Sequence, residues 1–313
     1  METIQARRTM DEEPIRCENG YALMNLARGE SAEILARPTT NPVRFEEIEH
    51  GLAVYIGDRL FTRYIHDPAF AKPYLGPIFN SRGDSFTRLD LTATEHPHQR
   101  SLIIAVGDVN GIDFWNEPSG CGREEHEGYR DMTCGVNYGS FTADNVWKAP
   151  DGTPLVKESR CFTFYAQSAA CRYMDLAVEF RAEFGKIVFG ATKEAGPLGI
   201  RVADSLRADH GGRIRNAYGA EGEQECWGRC ASWCLNEGVL NGLPCGIAVF
   251  DHEDNERYPT AWHVRNYGLF AANNLFFKGG LTIEAGQSLL YRYRIVFYEG
   301  SRNIADRFLL WAK

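Results

Sequence analysis

The chain has 313 residues, 44% of them hydrophobic and 24% charged, a balance that predicts a soluble globular protein with a substantial core. The formal net charge of −8 at pH 7 argues against nucleic acid as a partner, because no basic stripe is available to contact phosphates. No apolar run approaches the length of a membrane span, and the first residues lack the apolar segment of a signal peptide. Nine cysteines, an odd number, then predict reduced thiols and a cytoplasmic location.

Short apolar runs separated by turn residues follow one another from residue 21 to residue 298, a pattern typical of β-strands. Residues 52–64, for example, hold two such runs around Gly57-Asp58, a dipeptide that favours a hairpin turn. Only residues 303–312 have helical character. The sequence therefore predicts an all-β fold, a sandwich or supersandwich, in one domain over residues 16–313, preceded by a flexible tail over residues 1–15.

The stretch Thr94-Glu95-His96-Pro97-His98-Gln99-Arg100 concentrates ionisable side chains directly before an apolar run at residues 101–106. In a strand, residues two apart point to the same face, so His96 and His98 are expected to project together, with Gln99 on the opposite face. Pro97 lacks a backbone donor and places the pair at a strand end or edge. Such a pair predicts a functional site, and two exposed loop histidines are the alternative.

A metal site is one interpretation of these histidines. His126 lies in a Gly-rich irregular segment at residues 107–128, and both it and His263 could converge with His96 and His98. Three or four imidazoles, completed by a carboxylate, suit a divalent cation. The spacing matches no familiar metal signature. No cofactor is therefore expected, and a divalent metal held by His96, His98 and His126 is the alternative.

Lys193 and Glu194 follow an apolar run at residues 187–191, and Gly196-Pro197 is expected to end that strand. Adjacent residues in a strand face opposite ways, so one of the pair should point into any cavity that the sheet encloses. An ionisable group in a cavity loses hydration, which shifts its pKa and suits it to acid–base work. The alternative is a solvated face.

Tryptophans 115, 227 and 262 each lie beside polar residues in the chain. An aromatic plate with neighbouring amide, carboxylate or guanidinium groups suits a sugar, whose C–H face stacks while its hydroxyls form hydrogen bonds. Tryptophan is equally common in protein cores, so this pattern supports a sugar site without requiring one.

A series of motifs carries a resemblance to a known family. In chain order they are Lys72-Pro73-Tyr74, His96-Pro97-His98-Gln99-Arg100, residues 110–115, residues 189–194, residues 198–202, Trp227-Gly228 and residues 259–273. Together, between about residues 45 and 300, they resemble the bacterial domain family labelled "methane oxygenase PmoA". The resemblance implies a β-sandwich protein of carbohydrate-utilisation settings. The family pattern commonly reads His-Pro-His-His-Arg-Gly, and here Gln99 and Ser101 replace its third histidine and its glycine.

The closing strands, at residues 281–293, also resemble those of galactose-mutarotase-like supersandwiches. That resemblance implies sugar binding on a concave sheet, with histidines and a carboxylate that move protons.

The combined interpretation is a protein that performs acid–base chemistry on a sugar or keto-sugar derivative: mutarotation, epimerisation, elimination or hydrolysis. We expect His98 and His263 to carry protons, with Glu194 or Lys193 as their partner. The expected substrate-binding residues are His96, Arg100, Trp115, Arg201, Trp227, Trp262, Arg265 and Asn273. Two alternatives stay open, a metal-dependent, oxygenase-like enzyme and a non-catalytic carbohydrate-binding module. The expected partner is a small carbohydrate, without nucleic acid or membrane, and homo-oligomers are compatible with the sequence.

Overall fold

The computed structural model describes residues 42–92 and 94–312, and before residue 42 it describes only the backbone of four short strands. Of the flexible tail expected over residues 1–15, Gln5–Arg8 alone falls among the described residues, as a strand. The rest of that prediction lies outside the described part of the chain. Within the described residues, no helix is long and apolar enough to cross a membrane.

The strands are β1 (Gln5–Arg8), β2 (Cys17–Glu18), β3 (Tyr21–Ala22), β4 (Ala32–Leu35), β5 (Val43–Ile48), β6 (Gly51–Ile56), β7 (Arg59–Ile65), β8 (Tyr74–Leu75), β9 (Leu102–Val106), β10 (Arg123–Thr133), β11 (Tyr138–Lys148), β12 (Pro154–Tyr165), β13 (Cys171–Arg181), β14 (Ile187–Phe189), β15 (Ala195–Arg201), β16 (Arg213–Asn216), β17 (Trp233–Leu240), β18 (Leu243–Asp251), β19 (Trp262–Val264), β20 (Leu269–Ala272), β21 (Leu281–Ile283) and β22 (Ser288–Glu299). The helices are α1 (Gly222–Cys226) and α2 (Ile304–Trp311), with short 3-10 helices at Asp204–Leu206 and Ala208–His210.

Two eight-stranded antiparallel sheets form a sandwich. Sheet I has the strand order β10-β11-β12-β13-β22-β18-β17-β16, and sheet II has the order β19-β20-β15-β9-β8-β7-β6-β5. The pairs β1–β4, β2–β3 and β14–β21 form separate two-stranded sheets. The prediction of an all-β sandwich is confirmed. The expected C-terminal helix is present as α2, and the side chain of Asn303 caps it by accepting a hydrogen bond from the backbone of Asp306.

The main hydrophobic core lies between the two sheets. Phe61 of sheet II packs against Phe164 and Phe297 of sheet I, with ring centroids 6.2 and 5.6 Å apart. Strand β9 shows how the two faces of sheet II differ, because Leu102, Ile104 and Val106 enter this core while Ile103 and Ala105 do not. The alternate residues instead pack in a small cluster on the face that points away from sheet I, here called the outer face.

One predicted strand boundary is wrong. Gly196-Pro197 does not end a strand but lies inside β15, where the register with β9 shifts between Gly196 and Gly199. Pro197 has no N–H to donate, and the bulge removes the need for one. Lys193 and Glu194 consequently lie in the turn before β15 rather than at the end of a strand.

Candidate active site

The histidine stretch is a turn, not the end of a strand. Strand β9 begins at Leu102, and the preceding chain is held by hydrogen bonds from Gln99 N to His96 O (3.0 Å) and from Arg100 N to His98 O (3.1 Å). His96 has a positive φ of 48°. The expectation that strand alternation separates Gln99 from the two histidines is therefore wrong, because the turn brings all three side chains to one cavity.

His263 reaches the same cavity by strand geometry. Its neighbours Trp262 and Val264 are fully buried in the core between the sheets, so the side chain between them points to the outer face. The pairing register aligns His263 with Ala271, Ala271 with Gly199, and Gly199 with Ile103 across sheet II. Small residues in this row leave the outer face open beside the imidazole.

Trp115 forms the part of the cavity wall that lies over this row of paired residues. A Cβ atom placed on Gly199 would lie 3.4 Å from Cη2 of Trp115, so the indole covers the sheet at the glycine. The ring is almost fully buried and belongs to the outer-face cluster with Ile103 and Leu269. Trp115 belongs to the irregular segment after β9, which was expected to be functional. This segment thus supplies an apolar part of the cavity wall.

The cavity has a volume of about 280 Å³. Of the residues expected at a site, it is lined by His96, His98, Trp115, Lys193, Glu194, His263 and Arg265. The lining is completed by four residues that were not expected at a site: Gln99, Asn116, Tyr267 and Leu269. Tyr267 lies two residues after the selected Arg265 in the turn between β19 and β20, and Asn116 follows Trp115 directly, so closeness in the chain was the signal available for both.

The protonation of His263 follows from its one hydrogen bond. Its Nδ1 lies 2.7 Å from the carbonyl oxygen of Lys193, and since a carbonyl only accepts, Nδ1 carries the proton. Nε2 then holds a lone pair, and it is buried with no hydrogen-bond partner among the described residues. Burial lowers the pKa of His263, although the Lys193 carbonyl opposes that effect. The ring is therefore neutral at neutral pH, with Nε2 able to accept a proton.

His98 is the second neutral imidazole of the cavity. Burial, reinforced by the positive charge of Lys72, lowers the pKa of His98 to about 4. Its ring centroid lies 6.2 Å from that of Trp115 and 6.0 Å from that of His96. The cavity thus presents two imidazoles that are uncharged at pH 7.

A buried ion-pair network supports the wall beside His98. Lys72 donates to the carbonyl oxygen of Trp115 and to Glu117, both at 2.9 Å, and Arg100 donates two bonds to the same carboxylate. Burial would raise the pKa of Glu117, but the hydrogen bonds and charges of Arg100 and Lys72 outweigh it and lower the pKa. Arg100, which was expected to clamp a substrate, thus lies outside the cavity lining with its guanidinium bonded to Glu117.

Arg201 also acts behind the wall rather than in the cavity. Its NH1 donates to Oε1 of Gln99 at 2.9 Å, and its guanidinium lies 4.5 Å from the centre of the Tyr267 ring. Tyr267 in turn stacks on His96 with ring centroids 4.8 Å apart. Burial, reinforced by the charge of Arg88, lowers the pKa of Arg201 to about 10, where it is still charged at neutral pH. Arg201, which was expected to contact substrate, thus lies behind the lining, where it contacts Gln99 and Tyr267.

Lys193 and Glu194 lie on the rim of the cavity. Their charged atoms are 3.4 Å apart, and the side chains are 50% and 36% exposed. Both residues lie in the turn before β15 and not in a strand that faces the cavity. Each side chain therefore keeps much of its hydration, whereas the sequence predicted that one of the two would lose it.

Three other expected binding residues lie outside the lining. Trp262 is fully buried between the sheets and donates from Nε1 to the carbonyl of Ala231 at 2.8 Å, so it is a core residue. Trp227 is 37% exposed and packs against Phe276 and Phe277. Asn273 is fully buried, and its amide is bonded to backbone groups.

His126 does not join the cavity histidines. It lies in β10 of sheet I, its ring stacks on His66 with centroids 4.2 Å apart, and its Nδ1 lies 3.3 Å from Oδ1 of Asn145. The predicted convergence is thus wrong for His126, although it holds for His96, His98 and His263. Among residues 42–92 and 94–312, no group of three or more His, Cys, Asp or Glu side chains is arranged to hold a metal ion.

These observations describe an all-β sandwich with a histidine-lined cavity on the outer face of one sheet. The chain belongs to the family described as "Family of unknown function (DUF6807)", whose sequence pattern matches residues 51–308. The resemblance to the family labelled methane oxygenase PmoA therefore rests on the sequence motifs. No curated protein matches the chain.

Solved structures with a similar arrangement of strands include three carbohydrate-related proteins. Heparan sulfate lyase HepC from Pedobacter heparinus is 8% identical over 81% of this chain and 31% of its own, with a TM-score of 0.32. Galactose 1-epimerase from Lactobacillus acidophilus is 8% identical over 83% of this chain and 99% of its own, with a TM-score of 0.39. A polysaccharide lyase is 10% identical over 87% of this chain and 34% of its own, with a TM-score of 0.34. The chain thus spans about a third of the length of either lyase.

Proposed function

We propose that the cavity on the outer face of sheet II binds a sugar or sugar derivative and performs acid–base chemistry on it. The observation that carries this proposal is the pair of neutral imidazoles, His98 and His263, in one cavity, with Nε2 of His263 left without a partner in the described chain. A general base must be uncharged and free to accept a proton, and both conditions hold for His263.

The lining of the cavity supports a small polyhydroxylated ligand. Trp115, although almost fully buried, contributes an apolar part of the wall, and Gln99 and Asn116 contribute amides that both donate and accept hydrogen bonds. A volume of about 280 Å³ lies just below the roughly 300–1,000 Å³ of small-molecule sites, so a ligand no larger than a single sugar ring is expected. Lys193 and Glu194 at the rim would contact hydroxyl or carboxylate groups of the ligand, as would the part of the Arg265 guanidinium that is not bonded to Glu223.

The proposed reaction moves a proton between the ligand and the two histidines. Nε2 of His263 accepts a proton from a ligand O–H or C–H group, and the imidazolium that forms is stabilised by the Lys193 carbonyl. His98 exchanges a second proton with another ligand oxygen. Mutarotation, epimerisation, elimination and hydrolysis can all use this pair of histidines. The experiment described below identifies which of the four reactions the protein catalyses.

Other expected properties stay predictions. Proton transfer alone needs no cofactor. A divalent metal in the cavity, which is the alternative, would have to be bound without His126, because that residue does not line the cavity. A cytoplasmic location, a single domain over residues 16–313 and homo-oligomer formation are predictions made from the sequence.

Proton NMR in D₂O tests the proposal. The protein is incubated with a panel of monosaccharides, sugar lactones, uronic acids and aryl glycosides, and the spectra are followed over time. Faster anomer exchange, loss of a C–H signal, a new alkene signal or release of the aryl group would identify the four reaction types. Ligand binding without any of these changes would instead support the carbohydrate-binding module. The variant His98→Ala/His263→Ala is the control for contaminating activity.

A further inference from the structure

We infer that Asn273 is a positioning residue, which holds the Lys193 carbonyl so that His263 keeps its proton on Nδ1 and presents Nε2 to the cavity. This inference rests on the proposed function only for its catalytic consequence. The geometry itself concerns four groups whose contacts are set by the fold: an amide, two backbone carbonyls and an imidazole.

The side chain of Asn273 is bonded at both ends. Its Nδ2 donates to the carbonyl oxygens of Thr192 (3.2 Å) and Lys193 (3.1 Å), and its Oδ1 accepts from the backbone N–H groups of Leu275 and Phe276, both at 3.0 Å. The residue is fully buried directly after β20. Because the amide is bonded at both ends, it fixes the turn at residues 192–193 relative to the segment at residues 275–276.

The Lys193 carbonyl is the shared acceptor of two donors. It receives Nδ1–H of His263 at 2.7 Å and Nδ2–H of Asn273 at 3.1 Å, which together use both lone pairs of the oxygen. The next carbonyl, that of Glu194, accepts from the backbone of Gly107 at 2.6 Å. The rim turn is therefore held from β9 on one side and from Asn273 on the other.

Without the amide, the rim turn would lose its anchor beside His263. Lys193 lies outside any strand, so no strand pairing fixes its carbonyl, and the remaining bonds of the turn are made by Glu194 to Gly107 and Thr192. A carbonyl that turned away would no longer select the Nδ1–H form of the imidazole. The Nε2–H form would then be populated, and in that form Nε2 cannot accept a proton.

Nitrogen-15 NMR of the histidine rings, recorded on the full chain without a ligand, tests the inference. We expect wild-type His263 to show a protonated Nδ1 and an unprotonated Nε2. Asn273→Asp keeps the acceptor for Leu275 and Phe276 but places an oxygen against the two carbonyls. In this variant, His263 is expected to shift toward the Nε2–H form or toward an averaged signal. Asn273→Ser, which lacks the amide donors and carries no charge, is the second variant.

Asn274→Asp is the matched control. Asn274 is the next residue and is also buried, but its amide donates to the carbonyl of Glu256 and to the hydroxyl of Tyr291. Substitution there measures the general effect of replacing a buried amide by a carboxyl group, and the His263 signals are expected to keep their wild-type pattern.

Two results would overturn the inference. One is a wild-type His263 protonated on Nε2, which can be observed even if every variant fails to fold. The other is an unchanged His263 signal in folded Asn273→Asp or Asn273→Ser. The failure of the sugar panel is a separate outcome, since it would contradict the proposed function and leave the tautomer measurement valid. With a substrate in hand, Asn273→Ser should lower kcat more than it changes KM.

Discussion

The guanidinium of Arg100 and the carboxylate of Glu117 form two parallel hydrogen bonds, 2.7 and 2.8 Å long, beneath the wall of the cavity. Lys72 donates to the same carboxylate and is itself almost fully buried. One anion thus neutralises two cations in a site from which water is largely excluded. Removal of the anion would leave both cations unpaired, which is far more costly than loss of an exposed ion pair.

Glu117→Gln is therefore expected to lower the free energy of unfolding by about 3 kcal/mol. Chemical denaturation followed by circular dichroism measures the change. Glu194→Gln is the matched control, because it removes a half-exposed carboxylate at the rim of the same cavity, and it should change stability by less than about 0.5 kcal/mol. Equal stability of the two variants would contradict the assigned role of the network.

The stacked rings of His66 and His126 predict a loss of stability in acid. Burial lowers the pKa of both rings, that of His126 to about 4. In the unfolded chain a histidine titrates near pH 6.5, so between about pH 6.5 and 4 the unfolded state binds more protons than the folded state. Stability is thus fully present above pH 6.5 and falls as the pH drops through this window.

His126→Phe tests this contribution. Phenylalanine can keep the contacts with His66 and Tyr129 but cannot be protonated. The drop in melting temperature between pH 7 and pH 4.5 is expected to be smaller in the variant than in the wild type. His210→Phe, an exchange of a histidine in a 3-10 helix that is not buried, is the control. If His126→Phe loses as much stability in acid as the wild type, the stacked pair does not carry the effect.

Trp115 is expected to contribute to ligand binding, and Trp227 is not. Replacement of Trp115 by phenylalanine keeps an aromatic ring but removes part of the apolar cavity wall, which costs about 1 kcal/mol, or roughly fivefold in affinity. Isothermal titration with a sugar identified in the panel should show this loss for Trp115→Phe and unchanged affinity for Trp227→Phe. The reverse order would move the ligand site toward the aromatic cluster of Trp227, Phe276 and Phe277.

Glu194 is expected to affect binding more than turnover. Its side chain lines the cavity but is 36% exposed and paired with Lys193, so it contacts water as well as any ligand. Steady-state kinetics of Glu194→Gln should show a raised KM with kcat within about threefold of wild type. A loss of about 10²–10⁴-fold in kcat would instead make Glu194 a general acid or base, as the sequence suggested.

The strands were predictable from the sequence because a strand with one buried face shows a period of two residues, and a strand buried on both faces reads as a continuous apolar run. Strand β9, for example, reads as an apolar run and is buried along its whole length. The cavity histidines could also be selected, since each adjoins such a run. The turn geometry at His96 could not be foreseen, because a positive φ depends on the contacts that hold the turn.

The expected binding residues that lie outside the cavity lining share one physical cause. Residue type shows that Arg100, Arg201 and Trp262 can bind a sugar, but it does not show that their polar atoms are bonded to Glu117, Gln99 and Ala231 in the fold. Lys72 and Glu117 are 45 positions apart, and their pairing depends on the path of the chain between them. Long-range pairing of this kind decides which cations are already neutralised and which are free to meet a ligand.

Turnover by two variants of His263 tests the central claim most directly. His263→Asn can keep the donor to the Lys193 carbonyl but has no group at Nε2, whereas His263→Gln reaches the Nε2 position with an amide that is not basic. With a substrate from the panel, both variants are expected to lose about 10²–10⁴-fold in kcat/KM while keeping the wild-type melting temperature. Wild-type kcat/KM in either folded variant would contradict the assignment of Nε2 of His263 as the group that accepts the proton.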